Sequence, residues 1–95
     1  MYYVVVRRTG PAWDPARALE EQVDWDAHAA YMDALVEQGV IILGGPLADE
    51  RRVVLACAAE DETSLREALA GDPWSGSHLE VVSVDAWTIR LDGRP

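Results

Sequence analysis

His28 stands in an apolar series that starts at Trp25 and recurs at helical spacing through Ala29, Met32, Leu35 and Val36. Imidazole ordinarily titrates near neutrality, so it can both take and return a proton at physiological pH. A histidine on such a stripe is ordinarily a satisfied core residue, and proton-transfer chemistry needs a partner that orients the ring. Two carboxylates qualify by position. Asp24 precedes His28 by one helical turn on the same face, and Asp72 follows a second helical segment. With both helices side by side on one sheet, Asp72 could reach one ring nitrogen, fix the tautomer and stabilise the imidazolium. The other nitrogen would then serve as general base or acid. Asp72 before Pro73 also reads as an ordinary post-helical turn.

Around this pair, Trp25, Trp74 and Trp13 could wall a pocket for a planar substrate, although tryptophan is equally core filler. Gly45 and Pro46 follow a strand, where the missing Cβ of glycine lets a ligand approach the backbone. The expected site is therefore His28 and Asp72 as catalytic residues, with Trp25, Gly45, Pro46, Pro73 and Trp74 around a small-molecule ligand. His78 lies in a Ser/Gly loop and is expected to be solvated. Cys57 falls inside a strand, where a thiol is inert. Two histidines and one cysteine exclude a closed structural zinc site made of Cys and His alone. There is no phosphate-binding glycine loop, nucleophile elbow or dinucleotide fingerprint, so no cofactor is expected.

The elements that must position these groups follow from patterning. Tyr2 to Val6 is β-branched and aromatic, a strand closed by Thr9-Gly10-Pro11. Residues 10 to 23 read as a long connection with at most a short helical piece. A helix then runs from a cap at Asp24 to a left-handed stop at Gly39. Val40 to Leu43 is a strand expected to end at Gly44-Gly45-Pro46, and Arg52 to Ala59 is another. A second helix opens at Asp61 or Thr63, carries Leu65, Ala68 and Leu69 on its stripe, and stops at Gly71. Leu79 to Leu91 reads as a last, long strand, bending near Asp85, and residues 92–95 as a loose tail. Strand, helix, strand, strand, helix, strand is the split βαβ order of an α+β, ferredoxin-like domain, with an antiparallel four-stranded sheet and both helices on one face.

Ninety-five residues support one domain, residues 1–91, that buries about two thirds of its open-chain surface without staples. Seventeen acids against eight bases, all arginine, give a formal net charge of −9. That balance, with no basic run beyond Arg7-Arg8 and Arg51-Arg52, argues against nucleic acid and anionic membrane surfaces as partners. No apolar stretch reaches a membrane span, and the first residues lack the order of a secretory peptide, so a cytoplasmic location is expected. The strands Tyr2–Val6, Val40–Leu43 and Val53–Cys57 are apolar at both parities, whereas a sheet with one wet face should alternate. The bland explanation is that β-branched residues simply favour strands. The preferred one is a homodimer joined through its sheet faces.

The combination of Met1-Tyr-Tyr-Val-Val, Trp25-Asp-Ala-His28 with Tyr31-Met-Asp-Ala-Leu35, Gly39-Val-Ile-Ile-Leu-Gly-Gly-Pro46 and Ala70-Gly-Asp-Pro-Trp74 resembles the YCII-related (YciI-like) family over nearly the whole chain. The resemblance implies a ferredoxin-like dimeric α/β barrel and an active site built on a histidine and an aspartate, here His28 and Asp72. One branch of that family resembles a cofactor-independent dehydrochlorinase of a chlorinated hydroxyhydroquinone, and related barrels isomerise lactones or oxidise quinol-like compounds. The longer connection from Gly10 to Val23, with Trp13, Arg17 and Gln22, departs from shorter members and is expected to fold over the pocket as a lid. The leading expectation is a lyase or isomerase acting on a small cyclic or aromatic metabolite. A non-catalytic binding module and a cofactor-less monooxygenase are the alternatives.

Overall fold

A computed structural model describes residues 1–95. Strands β1 (Tyr2–Arg7), β2 (Ile41–Pro46), β3 (Arg52–Cys57) and β4 (Glu80–Ala86) alternate with helices α1 (Trp25–Glu37) and α2 (Glu62–Ala70) in the order β1-α1-β2-β3-α2-β4. The spatial order is β2-β3-β1-β4, and every neighbouring pair is antiparallel. This α+β architecture is consistent with a ferredoxin-like fold. The connection between β1 and α1 holds only a single 3₁₀ turn, Leu19–Glu21, as expected.

Period-two alternation sends Val4, Val6, Leu55 and Cys57 to the helix side, where they meet Leu35 of α1 and Leu65 and Leu69 of α2. Burial pushes the Cys57 thiol up to about 11. The Asp61 carboxylate accepts the Ser64 N–H at 2.7 Å and caps α2. Hydrogen bonding to that backbone N–H lowers its pKa. Asp24 stands at the α1 cap with a left-handed φ of 64° and no side-chain cap bond. Gly39 takes the left-handed stop at φ 77°. The buried face of α1 is centred on His28, Tyr31, Met32 and Leu35, so Val36, at the margin of the expected stripe, is exposed.

β2 and β4 each start one residue later than expected, at Ile41 and Glu80, and three strand ends differ by more. Gly44, Gly45 and Pro46 are not a turn; they continue β2 opposite Leu55, Val54 and Val53. Proline is tolerated there because β2 is an edge strand. Strand β3 stops at Cys57 rather than Ala59, since Cys57 already faces Tyr2, the first residue of β1. Strand β4 stops at Ala86 rather than Leu91 for the same reason. Ala86 faces Tyr2, and the Trp87 N–H to Met1 O bond of 2.8 Å is the last rung available. The irregularity in β4 also lies opposite Val5/Val6, at Val82, and not at Asp85. No helix is long and apolar enough to cross a membrane.

Candidate functional site

The Asp72 carboxylate sits just past the C-cap of α2, and its position is over-determined. Its backbone N–H donates to Leu69 O at 3.2 Å, and its Oδ1 accepts the Trp74 N–H at 3.0 Å across Pro73. The turn that follows carries Trp74 back under α1, where the indole Nε1–H donates to Val23 O at 2.7 Å. Trp74 is almost wholly buried and forms the middle of a three-ring stack. His28 lies on one face at 4.1 Å and 6° between planes, and His78 on the other at 4.7 Å and 19°.

His28 Nδ1 lies 2.8 Å from both Asp72 oxygens. A carboxylate can only accept, so Nδ1 carries a proton, and in the neutral ring Nε2 presents its lone pair. Nε2 has no protein partner, yet it is not sealed, because the only fully buried side-chain nitrogen or oxygen lacking a hydrogen bond is His78 Nε2. Asp24, the rival partner, is exposed. It serves α1 through its backbone, its carbonyl accepting the His28 N–H at 3.0 Å.

The wall holding His28 belongs to a cavity of about 150 Å³ between the sheet and α1, shared with Trp25, Met32, Pro46, Leu55 and Trp74. An apolar hollow of that size suits a single six-membered ring. Beside it opens a second hollow of about 380 Å³ lined by Trp13, Arg17, Glu20 and Glu50. Arg8, Leu19 and Pro46 border both. No three His, Cys, Asp or Glu side chains are grouped to hold a metal ion.

Of the residues singled out in the sequence, His28, Asp72, Trp25, Pro46 and Trp74 are brought together at this cavity or directly behind it. Pro73 is exposed and shapes only the turn. Gly45 lies on the opposite side of the sheet, in a hollow with Tyr3, Val54 and Trp87. The cause is a bulge at Ile42, between Ile41 opposite Cys57 and Leu43 opposite Ala56, which inverts the parity of the rest of β2. Gly44 and Pro46 thereby face the helices; a Cβ on Gly44 would strike Leu55 Cδ2.

His78 is buried rather than solvated, because Trp74 stacks on it and Trp13 approaches its ring edge-on at 6.4 Å. Gly10 is fixed against the same loop through its N–H bond to His78 O at 3.0 Å. Gln22 stitches the connection by donating to Asp14 O at 2.6 Å and Arg17 O at 3.1 Å while accepting the Asp14 N–H at 3.0 Å. Leu19 thus reaches the cavity wall, and Trp13 and Arg17 border its neighbour. Arg8 was missed by sequence reasoning, although Val4, Val6 and Arg8 share one parity, and that alternation alone would have aimed Arg8 at the helix side.

The model of the YCII-related domain family matches residues 1–88. Among solved structures, the chain is similar to 5-chloro-2-hydroxyhydroquinone dehydrochlorinase from Burkholderia phenoliruptrix AC1100, determined in complex with 2,5-dihydroxybenzoquinone. The two share 22% identity over 93% of this chain and 94% of the other, with a TM-score of 0.60, a likeness of fold. No curated protein matches the sequence.

Proposed function

The chain belongs to the YCII-related domain family, and from that premise we propose that it is an enzyme of the lyase or isomerase type acting on a single-ring metabolite by proton transfer through His28. The observation that carries this reading is the division of labour on one imidazole. Nδ1 is held by the Asp72 carboxylate at 2.8 Å, while Nε2 is unpartnered on a side chain that lines a ring-sized cavity. Nε2 takes a proton from an acidic position of the substrate, and Asp72 stabilises the resulting imidazolium. The electron pair left behind either expels a neighbouring leaving group with its bonding pair, a lyase outcome, or is reprotonated by the imidazolium at another atom, an isomerase outcome. In the lyase case the proton on Nε2 passes to water and restores the base. The dehydrochlorinase with the similar fold acts on a chlorinated ring compound, which favours the lyase branch. Turnover of halogenated and hydroxylated single-ring compounds and of lactones, compared among wild type, His28→Ala and Asp72→Asn, tests the reading. Losses in both variants support it, and equal rates in all three end it.

The parallel stack of His28 on Trp74 favours a second reading, in which the His28–Asp72 pair is a structural strut of a ligand-binding module. Under that reading ring compounds bind without being turned over. Oxygen uptake during turnover would instead indicate a monooxygenase.

We also propose that the protein works as a homodimer joined through the open sheet face. Tyr3, Leu43 and Trp87 on that side are 38%, 60% and 42% exposed, around apolar hollows of about 180 and 330 Å³. The accessible area of 6184 Å² exceeds by about 800 Å² what area scaling gives a compact monomer of this mass. Part of that excess belongs to the extended residues after Ala86, and part to the uncovered apolar sheet face, of which a standard interface covers about 800 Å² per partner. Sedimentation as a dimer at micromolar concentration is expected; a monomer there refutes the pairing.

A further inference from the structure

We infer that the ligand of the His28 cavity carries an anionic oxygen and that the Arg8 guanidinium holds it. The inference rests on the cavity being the ligand site, as proposed above, and it names the substrate class: a single-ring acid, bearing either a carboxylate or an ionised ring hydroxyl.

Arg8 stands apart from the other seven arginines. It alone is partly buried; the rest are exposed. Arg17, Arg52, Arg66 and Arg94 each meet a carboxylate within 4.0 Å, whereas Arg8 meets none. In a chain of net charge −9 with seventeen acids, a partly buried arginine without a carboxylate partner is an unspent charge. Its Nη1 donates to the Glu50 carbonyl at 2.8 Å, and the guanidinium carbon lies 5.5 Å over the Trp13 ring. Those two contacts tether the group but use only one of its five N–H donors. The remaining donors have no protein acceptor.

Position supplies the second half of the argument. Arg8 lines the inner cavity together with His28 and also borders the outer hollow. No carboxylate lines the inner cavity itself; the nearest, Asp72, lines a small adjoining hollow that shares Val6, Met32, Leu55 and Leu79 with it, and is held by His28 Nδ1. The acids on the outer hollow, Glu20 and Glu50, are exposed and form no ion pair with Arg8. A ring seated between Trp25, Met32 and Pro46 therefore finds one cation without a carboxylate partner, Arg8, and one imidazole, while the nearest carboxylate, Asp72, is already engaged by that imidazole. A planar fork of N–H donors fits a carboxylate or a ring oxygen anion, and a charge-assisted bond is stronger than its neutral counterpart.

Calorimetric titration of the full chain with benzoate and 4-nitrophenolate, against the neutral probes benzamide and nitrobenzene, reads the claim directly. At least one anion is expected to bind about tenfold or more tightly than its neutral partner. Preference for benzoate marks a carboxylate ligand, and preference for nitrophenolate marks a ring oxyanion. Arg8→Gln should erase the preference, whereas His28→Ala should keep it. Equal affinity for charged and neutral probes in the wild type, no binding of either anion, or an unchanged preference in folded Arg8→Gln overturns the inference. Should Arg8→Gln fail to fold, the Arg8 guanidinium N–H resonances of the wild type serve instead: they should shift on anion titration, and their silence is equally fatal. If anion preference survives while turnover is indifferent to His28→Ala, the catalytic reading falls and the anion site stands.

Discussion

Replacing Asp72 by asparagine removes one charge and almost no volume, and the structure dictates how the new amide must sit. The Trp74 N–H, 3.0 Å from Oδ1, requires an acceptor at that position, so the amide oxygen stays there. The amide nitrogen then takes the place of Oδ2, 2.8 Å from His28 Nδ1. The amide oxygen also lies 2.8 Å from Nδ1 and can still accept from it, but an Nδ1 proton would then oppose the amide N–H at the same distance. A proton on Nε2 relieves that opposition and lets Nδ1 accept the amide N–H, so the balance moves toward the tautomer whose cavity-facing nitrogen is a donor. Losing a hydrogen bond to a buried charge and regaining a neutral one costs about 1 to 2 kcal/mol. For a domain of this length that lowers the thermal midpoint by about 5 to 12 °C. The effect on proton transfer is larger, because the base is present in the wrong tautomer; a loss of about 10² to 10⁴ in kcat is expected. The tautomer itself is readable without a substrate, from long-range nitrogen–proton correlation spectra of the His28 ring. Wild type should show a protonated Nδ1 and a bare Nε2, and Asp72→Asn the reverse. Identical spectra in the two proteins would refute the reasoning.

Three further outcomes follow from the packing. In Gly10→Ala the new Cβ would strike the Ser77 carbonyl and the His78 backbone, which no rotamer change relieves; a loss of about 1 to 3 kcal/mol in urea unfolding is expected. Asp49 is held at about 2, below the usual carboxylate range, chiefly by accepting the backbone N–H groups of Arg52 and Arg51 and by the Arg52 side chain. A depressed carboxyl stabilises the fold above its unfolded pKa and loses that contribution as pH falls through the folded value. Asp49→Ala should therefore lower the melting temperature at neutral pH and converge with wild type near pH 2, and a pH-independent difference would contradict this. With its thiol raised to about 11 by burial, Cys57 should resist a disulfide reagent in the native protein and react at once after denaturation.

The pairing of His28 with Asp72 was legible because both ends rest on local rules: a helical period that aims the ring at the sheet, and a helix stop at Gly71 that leaves the next residue at the helix end. Asp24 competed on equal terms in sequence and lost in space, since its side chain is exposed at the helix start and bonds to neither the cap nor His28. What sequence could not supply came from events of pairing. One extra residue at Ile42 turned Gly45 away from His28 and Pro46 toward it. The length of β4 was set by where β1 begins, not by its own apolar run. The Ser/Gly composition around His78 suggested water, yet Trp74 and Trp13 enclose it. Gln22 looked like loop filler and is buried because three backbone groups of the connection converge on its amide.

The central claim is that the ring of His28 itself carries the proton, and chemical rescue tests it most directly. His28→Ala leaves a vacancy beside Trp74 of about the volume of free imidazole, behind which Asp72 still stands. Added imidazole should restore turnover of a ring substrate in that variant, with a rate that rises with imidazole concentration and saturates. A folded His28→Ala protein that turns over as fast as wild type, or that binds the ring yet gains nothing from imidazole, would contradict the account.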